Sequence, residues 1–123
     1  MMAEEVQMRL AVEFLFWAEC PSHETALARL REALALEGTP AELTIREVHT
    51  DDQAQAAQFP GSPTIRLSGQ DIQPRGAGPP YSLTCRMYFH EDGRVTALPT
   101  LAELRAAVQS SHPAASVAAE VRP

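Results

Sequence analysis

The residues of this chain with the most specific chemistry are two cysteines and four histidines. Cys20 stands out among them. In Phe14-Leu15-Phe16-Trp17-Ala18-Glu19-Cys20-Pro21-Ser22-His23 an apolar run delivers a thiol to the start of a helical pattern. The spacing makes Cys20 the helix N-cap and Pro21 the first helical residue, where the missing proline N–H costs nothing. The unpaired N–H groups of a helix start, together with the helix dipole, favour thiolate over thiol. His23, one turn further on, is placed to assist deprotonation, while the neighbouring carboxylate of Glu19 opposes it. The chemistry implied is that of a nucleophilic thiol.

Cys85 reads differently. Leu83, Cys85, Met87 and Phe89 alternate with Thr84, Arg86, Tyr88 and His90, so Cys85 is expected on the core face of a strand, as a small hydrophobe. That strand's far end would approach Cys20, with Cys85 about five residues or ~16 Å away at ~3.3 Å per residue. A disulfide needs Cα atoms within about 7 Å, so no Cys20–Cys85 bridge is expected. Cys20, His23, His49 and His90 would end on one side of the sheet and have the donor types of a soft-metal site. Only Cys20 and His23 form a short ligand pair, and no metal or cofactor is expected.

These residues need elements to hold them. Val6 to Trp17 has apolar residues on both faces, the mark of a central, doubly covered strand. A helix follows to about Glu37, with Ala26, Leu27, Leu30 and Leu34 as its buried stripe, Gly38 as its left-handed end and Pro40 beyond. Leu43 to Val48 is a second strand, and Asp51 caps a short helix to Gln58. A third strand, Thr64 to Leu67, starts directly after Pro63. Gly69 to Ser82 reads as a loop and Leu83 to Phe89 as the fourth strand, with Arg94 to Thr96 adding a brief final one. Thr100 and Glu103 form a capping box for a last helix carrying Leu101, Leu104 and Val108. The order β-α-β-(α)-β-β-α predicts an α/β fold: a four-stranded mixed sheet with helices on both faces. Residues 1–109 form one domain, and 110–123, rich in Ala, Ser and Pro, a flexible tail.

At 123 residues, with 45% hydrophobic and 21% charged residues, the chain can bury its own core. The net charge of −6, with no basic cluster, argues against nucleic acid as a partner. The acidic start and the absence of a long apolar run argue against a membrane partner and make a cytoplasmic location the expectation, with both thiols free in a reducing compartment.

Three features resemble the thioredoxin-like superfamily over residues 6 to 109: Trp17 leading to Cys20 at a helix start, Ser62-Pro63-Thr64 before the third strand, and the hairpin and helix that follow. The resemblance implies a three-layer fold with a cis Ser62-Pro63 bond facing Cys20. It implies substrate binding by Trp17, Ser62, Pro63 and Thr64, with the backbone around Ser62 pairing with the ligand. The Cys-Pro motif, Gly61-Ser62-Pro63-Thr64-Ile65 and Cys85-Arg86-Met87-Tyr88 also resemble a group of small bacterial thioredoxin-family proteins that carry the label alkylmercury lyase-like. His23 stands where a dithiol oxidoreductase has its second cysteine. The implied activity is therefore monothiol: Cys20 forms a mixed disulfide with a small thiol or a protein thiol, without an internal resolving cysteine. The alternatives are a non-catalytic binding or interaction module and thiolate capture of a soft metal or organomercurial.

Overall fold

The computed structural model describes residues 9–111. The expected start of the first strand at Val6 and most of the expected tail lie outside them. The first strand, β1, spans Leu10–Phe16. Leu10, Val12 and Phe14 are buried on one face and Leu15 on the other, so this strand is covered on both sides, as its sequence predicts.

Helix α1 (His23–Glu37) buries Ala26, Leu30, Ala33 and Leu34. It ends where Gly38 takes φ 62°, and the pair of bonds Gly38 N–H to Ala35 O and Thr39 N–H to Leu34 O closes a Schellman turn. The chain returns as β2 (Ala41–Glu47), parallel to β1 with Phe14 opposite Ile45. Thr50 accepts from the Gln53 N–H at 3.0 Å and caps α2 (Asp51–Ala56), one residue earlier than expected. Strand β3 (Thr64–Leu67) then runs antiparallel to β1 on its other edge.

The fourth strand corrects the sequence reading. It is β4 (Gln70–Asp71), joined to β3 through Ser68 and Gly69, and the sheet order is β2-β1-β3-β4. Ser68 and Gly69 both have positive φ, 54° and 80°, which is what a two-residue hairpin turn requires. Leu83 to Phe89 is not a sheet strand. Its only regular part is β5 (Tyr88–Phe89), paired with β6 (Val95–Thr96) in a separate two-stranded ribbon.

Helix α3 (Leu101–Ser110) starts with the expected capping box, and Leu104 and Val108 pack with α1 and the Leu10, Val12, Phe14 face. An Arg105–Glu37 ion pair at 2.7 Å and the Arg29 Nη1–H bond to Pro99 O at 2.9 Å fasten α3 and its approach to α1. On the opposite face Leu15, Val48, Ala54 and Phe59 form a smaller buried cluster, to which α2 contributes Ala54. Helices thus cover both faces of a four-stranded mixed sheet. Among the described residues no helix is long and apolar enough to cross a membrane.

Candidate functional site

Cys20 lies in the turn between β1 and α1, but the helix begins later than the sequence suggests: Ser22 is the N-cap and His23 the first helical residue. Ser22 makes no side-chain cap. Its hydroxyl instead sits 3.1 Å from Cys20 Sγ, so the capping residue is diverted to the thiol. His23 also departs from expectation. Its Nδ1–H donates to the Cys20 carbonyl at 2.7 Å, and its ring stacks on Phe16 with centroids 4.6 Å apart. The carbonyl, not Sγ, is the part of Cys20 that this imidazole nitrogen meets.

The Ser62-Pro63 bond is cis, as the resemblance implies. Ser62 Oγ accepts from the Trp17 N–H at 3.0 Å, and Ser62 O lies 3.5 Å from Cys20 Sγ, so this segment faces the thiol. The residues implied to bind substrate have other partners. Ser62 is buried, its N–H donating to Thr84 O at 2.8 Å and its carbonyl accepting from the Arg86 N–H at 2.9 Å. The backbone expected to pair with a ligand is therefore occupied by the chain's own residues 84–86, in a parallel bridge between Ser62 and Cys85. Thr64, fully buried, gives its hydroxyl proton to Gly61 O at 2.6 Å. The half-buried Trp17 ring packs with the Leu15, Val48, Ala54, Phe59 cluster.

The largest correction concerns Cys85. Its side chain is exposed, and its S–H donates to Cys20 Sγ at 3.4 Å, in place of the ~16 Å that regular strand spacing predicts. The predicted core face is reversed. Arg86 and Tyr88 point inward, at 2% and 0% exposure, while Met87 stands half exposed. Burial of those polar side chains is satisfied locally. Arg86 donates to both Asp71 oxygens at 2.6 and 2.7 Å and to Gln73 O at 2.7 Å, and Tyr88 O–H donates to Pro63 O at 2.6 Å. With residues 86 and 88 inward, residue 85 must face the other way, toward Cys20.

Gly61 permits this approach. A Cβ there would lie 3.0 Å from the Arg86 N, Cα and Cβ atoms, and its φ of 151° suits glycine. Gly61→Ala is expected to cost about 1–3 kcal/mol and to push residues 84–86 away from Ser62. Chemical denaturation and slower closure of a Cys20–Cys85 disulfide would register the two effects.

The two thiols are electrostatically unlike. Burial pushes the Cys20 thiol up, but hydrogen bonds from the Ser22 hydroxyl and backbone N–H, from Cys85 and from Ser62 bring it below the ordinary thiol value. Cys85 is raised, first by its hydrogen bond to Cys20, then by burial and the Cys20 charge. Of the two, Cys20 is therefore the sulfur that gives up its proton first, with the Cys85 S–H placed to donate to it.

His49 and His90 do not join this site. His49 pairs with Glu47 at 3.6 Å, and His90 lies between Glu103 and Thr96 at 2.7 Å from each. Among the described residues no group of three or more His, Cys, Asp or Glu could hold a metal. Comparison with known proteins returned no match among family models, curated proteins or solved structures.

Proposed function

We propose that this chain is a thioredoxin-like protein that carries out thiol–disulfide exchange, with Cys20 and Cys85 as a reversible dithiol/disulfide pair. The observation that carries this reading is the 3.4 Å contact between the sulfur of Cys20, whose thiol is lowered, and the Cys85 thiol. The parallel β1-α1-β2 unit, the antiparallel β3 and the cis Ser62-Pro63 bond beside Cys20 agree with a thioredoxin-like arrangement. Exchange of an external disulfide, RSSR, with the dithiol gives two RSH and the internal Cys20–Cys85 disulfide. Two electrons and two protons pass from the protein to the external pair, and two external thiols reverse the reaction. The proposal replaces the monothiol expectation, because an internal partner sulfur is in contact.

Incubating the full chain with glutathione disulfide tests it. The expected product is a monomer that has lost two hydrogens and both free thiols, with a peptide map linking Cys20 to Cys85, and it should return to the dithiol with excess reduced glutathione. A chain that keeps both thiols under strongly oxidising conditions would instead be a binding module whose cysteines do no exchange. A resident metal is less favoured, since the two sulfurs have no third donor grouped with them among the described residues.

A further inference from the structure

Exchange at a thiol pair requires one sulfur to meet the external disulfide and the other to resolve the adduct. In sequence Cys20 looks like the first. The geometry points to the reverse: we infer that Cys85 is the sulfur that attacks the external disulfide and Cys20, beneath it, is the resolving sulfur. The inference rests on the exchange reading above and assigns roles within it.

Access decides the order. Cys20 is 0% exposed, enclosed by Ser22, the Ser62 carbonyl and Cys85, whereas Cys85 is open to solvent. A sulfur attacks in line with the disulfide it cleaves, so the attacking atom needs an open approach. Residues 84–86 would have to leave Ser62 to give Cys20 that approach, breaking the two backbone bonds of 2.8 and 2.9 Å. The Arg86–Asp71 pair and the Tyr88 O–H bond to Pro63 O resist such a displacement. Cys85 needs no movement of the backbone.

The chemistry balances with this assignment. Once Cys20 has released its proton to water, transfer of the Cys85 S–H proton to Cys20 Sγ, which it already faces, makes Cys85 the thiolate and Cys20 the thiol. The proton held by water is returned in the last step. Cys85 attacks one sulfur of RSSR, forming the Cys85–S–S–R bond and expelling RS⁻, which takes the proton from Cys20. The Cys20 thiolate then attacks Cys85 Sγ, closing the internal disulfide and expelling a second RS⁻ that is protonated by water. Cys20 acts first as base and then as resolving nucleophile.

The two roles separate in the native chain treated with glutathione disulfide, quenched in acid at early times and peptide-mapped. The glutathionyl adduct is expected on Cys85. In Cys20→Ser the adduct should accumulate there and persist, while Cys85→Ser should take up the label about tenfold more slowly, because its remaining thiol is enclosed. Early adduct on Cys20 in the native chain, or labelling of Cys85→Ser as fast as Cys20→Ser, would overturn the assignment and leave the exchange reading intact. The early quench on unaltered protein keeps the result independent of how either variant folds. Failure of the native chain to form any internal disulfide would instead remove the exchange reading itself.

Discussion

Arg86→Ala is expected to lower folding stability by about 3–5 kcal/mol, seen as a lower urea midpoint, and to slow disulfide closure. Arg86 lies inside the protein with 1% of its side chain exposed, and Asp71 beside it with 12%. Removing the guanidinium leaves a carboxylate with little access to water and no countercharge, and strips Gln73 O of its donor. It also removes the cation 4.6 Å above the Tyr88 ring. The ion pair itself is not a large net source of stability, because both charges lost their hydration to form it, and the buried Arg86 Nε has no partner among the described residues. The double variant Arg86→Met with Asp71→Leu is therefore expected to recover most of the loss. Arg86→Lys should recover little, since an ammonium cannot bond both Asp71 oxygens in the same fork. If Arg86→Ala and the double variant were equally unstable, the cost would come from packing and not from the stranded Asp71 charge. The effect on the thiols follows from position, because Arg86 holds the backbone whose neighbour is Cys85.

How much of this was legible in the sequence varied with the physics of each element. The C-terminal end of α1 and the start of α3 depend on local chemistry, a left-handed Gly38 and a reciprocal Thr100–Glu103 pair, and both were readable from a few residues. Burial of β1 on both faces was readable because its apolar residues fall on both sides of the pleat. The fourth strand was misplaced because alternation in Leu83 to Phe89 outweighed a shorter signal, the Ser68-Gly69 turn directly after β3. That alternation is real, but its polar set faces inward. Arg86 and Tyr88 become acceptable core residues only through Asp71, Gln73 and Pro63, and that pairing is tertiary information. The same inversion brought Cys85 to Cys20. At the site, the cis bond at Ser62-Pro63 and its proximity to Cys20 followed the family resemblance, whereas the occupied Ser62 backbone did not. No local pattern marks a segment as the partner of its own docking edge.

The stability of the reduced protein is expected to show a maximum with pH that belongs to the thiol pair. Cys20 is lowered in the folded state, so on rising pH the native chain gives up a proton that the unfolded chain still holds, and stability grows until the ordinary thiol value of about 8.5 is reached. Cys85 is raised, so above that value the unfolded chain loses a proton that the native chain keeps, and stability declines. Each limb has a limiting slope of about 1.4 kcal/mol per pH unit for one proton. The two limbs are not independent, since the Cys20 hydrogen bond and charge are among the causes that raise Cys85. Cys20→Ser is therefore expected to abolish the rising limb and shrink the falling one to the part due to burial of Cys85, whereas Cys85→Ala should reduce the rising limb, because Ser22 still supports the thiolate, and remove the falling one. Urea midpoints measured under reducing conditions across this range, taken as differences between the native chain and each variant, isolate the effect. Parallel curves for the native chain and Cys20→Ser would mean that the two sulfurs share no proton. A difference curve with a single rising limb would mean that Cys85 titrates as an ordinary exposed thiol, despite its contact with Cys20.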